Sequence, residues 1–137
     1  MGSFRIRVEK DHTVFSAGHF ITYDGHLCEP LHGHNYRVAA SVEGPLDENF
    51  YVLDFTRIKR QLRTIVDRLD HRMLLHRNDP VLPFLQAQGE PIFLCDANPT
   101  AETIARLIYD YTRSQGFPVV EVRLWETDDS CAVYRPS

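Results

Sequence analysis

From His34 to Glu43 the chain alternates cleanly: Tyr36, Val38, Ala40 and Val42 take one parity, and Asn35, Arg37, Ala39 and Ser41 the other. A period of two over that length is a strand with one apolar face, and a lone strand cannot hide that face. The chain must therefore fold as a sheet covered on one side. Phe4 to about Phe15 repeats the pattern, with Ile6 and Val8 set against Arg5, Arg7 and Glu9. Asp24-Gly25, Glu29-Pro30 and Gly44-Pro45 punctuate the run.

The cover comes from two helices. Asp54 suits the N-cap of a helix from about Phe55 to Leu69, in which Ile58, Leu62, Ile65, Val66 and Leu69 share a face. Thr100 caps a second helix with Ile104, Leu107, Ile108 and Tyr111 inward, ending near Gly116. The stretch from Met73 to Asn98 holds Pro80, Pro83, Gly89 and Pro91 and reads as a long excursion with at most short elements. Val119 to Glu126 and Cys131 to Tyr134 are the last strands, joined through Asp128-Asp129-Ser130. The expected class is α+β: an antiparallel four-stranded sheet with both helices on one face.

At 137 residues the chain has room for one core, so a single domain over 1–137 is expected. A hydrophobic share of 43% with 25% charged residues is a globular balance rather than a disordered one. A net charge of -4 and a pI near 5.9 argue against nucleic acid as a partner. No apolar run nears the roughly 20 residues of a membrane span, and Met1 to Ile6 carries neither a signal core nor a myristoylation pattern. Three scattered cysteines make no disulfide framework, so free thiols in a reducing cytoplasm are expected.

Histidine carries the chemistry. His32-Gly33-His34 leads into the alternating strand, so both imidazoles point to the side of Tyr36 and Val38. Two such rings can hold one metal ion if a third ligand arrives from elsewhere, and His19, just after the first strand, is best placed by position. Three neutral imidazoles around Zn²⁺ leave an open coordination position, as catalytic sites do. The ordinary alternative is a set of unrelated surface histidines.

Cys28 lies four residues before His32, where a thiol beside a cation has a lowered pKa and can act as base or nucleophile; the alternative is a small buried hydrophobe. That alternative is the expectation for Cys95 and Cys131. Asp70-His71 follows the first helix: the acid can fix the tautomer of the imidazole, or the pair is simply a solvated helix end. Glu126 continues the parity of Val120, Val122 and Leu124, and an acid on an apolar face needs a partner. Glu102 suits the first turn of its helix as a dipole-complementing residue. His12, His26 and His76 read as surface residues.

Several pieces, taken in order, carry a resemblance: Phe15-Ser16-Ala17-Gly18-His19, Cys28-x-x-x-His32-Gly33-His34-Asn35-Tyr36, Asp54-Phe55, Leu69-Asp70-His71, Pro99-Thr100-Ala101-Glu102 and Glu126-Thr127. Together they resemble the 6-pyruvoyl-tetrahydropterin synthase and 6-carboxytetrahydropterin synthase family across nearly the whole chain. The resemblance implies a T-fold (tunnelling fold) whose subunits close a barrel, as trimers that stack into hexamers, with active sites between subunits. It implies Zn²⁺ on His19, His32 and His34, proton transfer by Cys28, Asp70 and His71, a pterin anchored by Glu126, and supporting contacts from Thr100 and Glu102.

The implied activity is a zinc-dependent lyase acting on 7,8-dihydroneopterin 3'-triphosphate, with triphosphate elimination. The short Cys-to-His-Gly-His spacing resembles the 6-carboxytetrahydropterin synthases of queuosine and deazapurine synthesis. The alternatives are a 6-pyruvoyl-tetrahydropterin synthase, or a dual-activity relative releasing 6-hydroxymethyl-dihydropterin, for which Glu29 next to Cys28 is the pointer. Arg68, Arg72 and Arg77 are phosphate candidates by charge alone. A zinc hydrolase on another substrate, or a non-catalytic relative binding zinc or pterin, are the readings from other classes.

Overall fold

A computed structural model describes residues 2–8, 14–23, 27–28 and 30–137, with Tyr23, Leu27 and Cys28 described by strand position alone. His12, His26 and Glu29 lie outside the described residues. In chain order the elements are β1 (Phe4–Val8), β2 (Val14–His19), β3 (Thr22–Tyr23), β4 (Leu27–Cys28), β5 (His32–Gly44), α1 (Phe55–Leu69), β6 (Arg72–His76), α2 (Leu82–Ala87), β7 (Ile92–Cys95), α3 (Ala101–Ser114), β8 (Val119–Thr127) and β9 (Ser130–Tyr134). The long alternating run became the long strand, β5, and every other strand of the main sheet is placed relative to it.

That sheet runs β7-β6-β2-β5-β8-β9, with β1 also paired to β5. The run expected as one strand from Phe4 lies along a single edge of β5 as two strands: β1 opposite residues 40–44 and β2 opposite residues 32–37. On the other edge β8 pairs antiparallel with residues 37–42.

The excursion enlarges the expected four-stranded antiparallel sheet into a mixed one. β6 pairs parallel with β2, and β7 parallel with β6, with α2 between them. The reason its strands escape a period-two reading is burial on both faces. Leu74 enters the main core, while its neighbour Leu75 enters a second cluster with Phe20 and Leu82. A strand covered on both sides reads as a plain apolar run.

Helices α1 and α3 cover one face. The Asp54 carboxylate accepts the Thr56 N–H at 2.9 Å, and Ile58, Leu62, Ile65, Val66 and Leu69 are all buried. In α3 the buried residues are Ile104, Ala105, Ile108, Tyr109 and Thr112, so the stripe is turned from the expected one and leaves Leu107 and Tyr111 half-buried. The turn is toward β9, where the Tyr109 and Tyr134 rings meet edge-on at 4.9 Å.

A bulge corrects a second expectation. The β5–β8 register shifts between Ser41 and Val42, so Val119 rather than Val120 faces the core there. Beyond the bulge, Glu121 and Arg123 pair with Ser41 and Ala39 on the face away from the helices. Glu121 is only 2% exposed, and it accepts hydrogen bonds from Arg123 at 2.8 Å and Arg135 at 2.7 Å. Burial alone would raise its pKa, but the two guanidinium groups outweigh it and hold the carboxyl below its ordinary 4.5. Neutralising Glu121 removes the buried charge that both guanidinium groups face.

Glu121→Gln is expected to cost about 1–3 kcal/mol at neutral pH, read from urea melts. The native carboxyl binds its proton less readily than the unfolded one. The network's contribution is therefore complete above about pH 4.5 and is lost as pH falls through the lowered native value. The variant should lack that share of the acid slope.

Candidate metal centre

The register of β2 against β5 builds the site. His19 stands directly opposite His32, Gly18 opposite Gly33, and Ala17 opposite His34. Paired residues share a face, and residues two apart on one strand do too. Three imidazoles from two strands therefore meet on the helix-covered side of the sheet. Their ring centroids are 4.7, 5.0 and 4.8 Å apart, each pair edge-on. One nitrogen from each lies within 4.8 Å of the others.

Backbone carbonyls aim the rings. The His19 Nδ1–H donates to Pro99 O at 2.8 Å, and the His32 Nδ1–H to Pro30 O at 2.7 Å. A carbonyl only accepts, so each Nδ1 carries a hydrogen, which leaves Nε2 as the ring atom available to a metal ion. Those two Nε2 atoms face each other at 3.1 Å. A shared proton or a metal ion between them would relieve the repulsion of their lone pairs. The separation is close to the ~3.3 Å that two nitrogens 2.0–2.1 Å from one tetrahedral ion would take. Glu126 adds negative charge, its Oε1 standing 3.9 Å from His19 Nε2. The donor set fits a divalent cation.

Packing locks the arrangement. Tyr36, fully buried, sets its ring edge-on to His19 at 5.9 Å and to His34 at 5.4 Å, and stacks on Phe15 at 4.8 Å. His19 itself is 2% exposed.

Asp70 and His71 occupy the other face. Both backbone polar groups of Ser16 grip them: the Ser16 N–H donates to Asp70 Oδ1 at 2.8 Å, and the His71 N–H donates to Ser16 O at 2.6 Å. Asp70 Oδ1 also lies 3.0 Å from His71 Nδ1. Burial pulls the Asp70 pKa up, but the Ser16 amide, His71 and the charge of Arg63 outweigh it and hold the carboxyl below its ordinary 3.8. His71 has φ of 57°, the left-handed region that a non-glycine residue enters at a cost, and its side chain is 83% exposed. It borders a groove with Ser16, Gly18, Gly33, Asn35 and Met73. His34, one of the three clustered histidines, lines the same groove.

Cys28 is placed by its pairing with Thr22. The Thr100 hydroxyl accepts the Thr103 N–H at 3.1 Å as the α3 cap, and Glu102 is exposed in the first turn of that helix. Arg68 lies over the Tyr111 ring and Arg77 pairs with Asp96. His76 is half-buried rather than on the surface, its Nδ1 accepting the Asn78 N–H. Cys95 is buried as expected, and burial, seconded by Asp96 against Arg77, pushes its thiol up to about 11. Cys131 is exposed, against expectation, because β9 is a sheet edge. Sequence reasoning missed the carbonyls of Pro30 and Pro99; backbone acceptors carry no residue-type signal beyond their nearness to His32 and to the Thr100 cap.

The family model described as 6-pyruvoyl tetrahydropterin synthase matches residues 7–137. A 6-carboxy-5,6,7,8-tetrahydropterin synthase of Aquifex aeolicus is 32% identical over 145 residues, covering 94% of this chain and 90% of that protein. One from Rickettsia bellii is 33% identical over 122 residues, covering 82% of this chain and 88% of its own. A solved Plasmodium vivax 6-pyruvoyltetrahydropterin synthase, a catalytic-residue mutant, shares the fold with a TM-score of 0.82 at 20% identity over 99% of both chains. With the model spanning the sheet, both long helices and the histidine cluster, the chain belongs to the 6-pyruvoyl tetrahydropterin synthase family.

Proposed function

We propose that this protein is a zinc-dependent 6-carboxy-5,6,7,8-tetrahydropterin synthase acting on 7,8-dihydroneopterin 3'-triphosphate. The observation that carries the reading is the cluster of His19, His32 and His34, whose ligand atoms lie within 4.8 Å of one another, the Nε2 atoms of His19 and His32 at 3.1 Å. The names of the relatives favour the carboxy product over the pyruvoyl one. His19, His32 and His34 hold the ion. Zinc, when bound, supplies Lewis acidity toward the hydroxyls of the substrate side chain.

The chain's own groups do the rest. Cys28 as thiolate takes a proton from the substrate side chain, and the electron pair of that C–H bond drives out the triphosphate; uptake of one water and cleavage of a side-chain carbon–carbon bond then leave the carboxylate on the pterin and release acetaldehyde. The Glu126 carboxylate takes the paired N–H donors of the pterin, which match its two oxygens. Asp70 keeps His71 in position to pass a proton on. The exposure of the His71 ring supports service in the site of a neighbouring subunit: an assembly would cover the dyad and exclude water. A trimer or hexamer in the cytoplasm is the proposed state.

Incubating the zinc-loaded protein with the triphosphate and identifying products by mass should yield acetaldehyde with the carboxy compound. The pyruvoyl or hydroxymethyl compound would instead name one of the alternatives, and no conversion would overturn the reading. Chelation should leave a folded, inactive protein, because the sheet-and-helix core does not depend on the ion; unfolding would mark a structural metal.

His32→Ala should lower bound zinc, whereas Cys28→Ala and Asp70→Asn should keep the metal while losing turnover by about 10²-fold or more. Metal analysis beside steady-state kinetics reads both. For Glu126→Gln, raised KM with zinc retained supports the anchor role. Loss of zinc from that variant would make Glu126 a ligand instead.

A further inference from the structure

The stretch 73–98 holds a buried carboxylate that the reaction proposed above does not use. Asp79 lies in the turn between β6 and α2 and is 6% exposed. Its two oxygens have separate tasks. Oδ1 accepts the Val81 N–H at 2.9 Å and closes the local turn. Oδ2 accepts the Thr22 hydroxyl, also at 2.9 Å, from a different part of the chain. A turn needs only the first bond. The second is a charge-assisted contact to another element.

Thr22 is gripped from a second side as well. The Asn98 side-chain N–H donates to Thr22 O at 3.1 Å. In the β3–β4 pairing Thr22 stands directly opposite Cys28, and Tyr23 opposite Leu27. A pair of two-residue strands has little stability of its own, so its placement depends on what holds it. Both grips fall on the residue paired with Cys28. Asn98 also precedes Pro99, whose carbonyl aims His19, so one short segment references the hairpin and a histidine of the cluster to each other.

We propose that Asp79 is a positioning residue: through the Thr22 hydroxyl, with Asn98 on the Thr22 carbonyl, it sets where Cys28 stands relative to His19, His32 and His34. The proposal rests on the reading of Cys28 as the base. Asp79 touches no substrate; it acts through the hairpin. A base works only within hydrogen-bond reach of the proton it takes, and a displacement of about 1 Å can cost on the order of 10²-fold.

The test compares Thr22→Val, Thr22→Ser and Asp79→Asn in the full chain. Turnover of the triphosphate, bound zinc, and the pH profile of Cys28 alkylation by iodoacetamide are the readouts, with exposed Cys131 as internal reference. Thr22→Val and Asp79→Asn should lose about 10- to 100-fold in kcat at unchanged zinc content and KM. They should also shift the alkylation profile of Cys28 and not that of Cys131. Thr22→Ser keeps the hydroxyl and should behave as wild type.

Wild-type kcat with an unshifted profile in folded Thr22→Val overturns the proposal. So does an equal loss in Thr22→Ser and Thr22→Val. If Asp79→Asn fails to fold, Thr22→Val decides, because it leaves the turn bond to Val81 in place. Should the wild-type protein leave the triphosphate untouched, the functional reading falls, and the alkylation profiles still decide whether Asp79 positions Cys28.

Discussion

The antiparallel register of β2 on β5 is the constraint from which the site follows. It sets His19 across from His32 and Ala17 across from His34, so that a large ring faces a methyl group and three imidazoles gather at one spot. A slip of one residue would send every second side chain to the opposite face and scatter the cluster. The close approach is guarded by glycine. A Cβ on Gly33 would lie 3.0 Å from Ala17 O, and one on Gly18 would lie 2.8 Å from the Met73 sulfur. Side chains there would push β2 from β5 or displace Met73 from its seat.

Register alone would bring the rings together without orienting them. Orientation comes from carbonyls outside the strand pair, Pro30 before β5 and Pro99 before α3, each taking an Nδ1 proton. The segment 98–100 thereby serves three parts of the molecule. Asn98 holds Thr22, Pro99 aims His19, and Thr100 caps α3. Strain at any of these points would be felt at the histidines, since the contacts are short and share a backbone.

The same strand also divides its labour between its two faces. Ser16 grips Asp70 and His71 through its backbone on one side, and His19 joins the metal-competent cluster on the other. One chain thus presents half of two different places. That division is the physical argument for the proposed assembly, in which the open dyad of one subunit completes a neighbour, and it also accounts for a histidine held in the left-handed region by an acid and one backbone bond.

Local pattern makes much of this legible in the sequence. The helical stripe from Ile58 to Leu69, the caps at Asp54 and Thr100, and the shared parity of His32 and His34 are short-range properties and survived folding intact, whereas the period of two in residues 34–43 gave the strand but not its burial, because Ala39 and Ser41 are covered on the second face too. What local pattern could not carry was decided by pieces distant in the chain. The parallel extension within Met73 to Asn98 escaped the pattern because Leu74 and Leu75 are buried on opposite sides, which erases alternation. The β8 bulge moved Val119 into the core, and the Asp79–Thr22 bond joined residues with no sequence relation. Sequence determines which residues can face the same way; only tertiary structure decides which of them meet, because meeting depends on register and on backbone acceptors that no residue type announces.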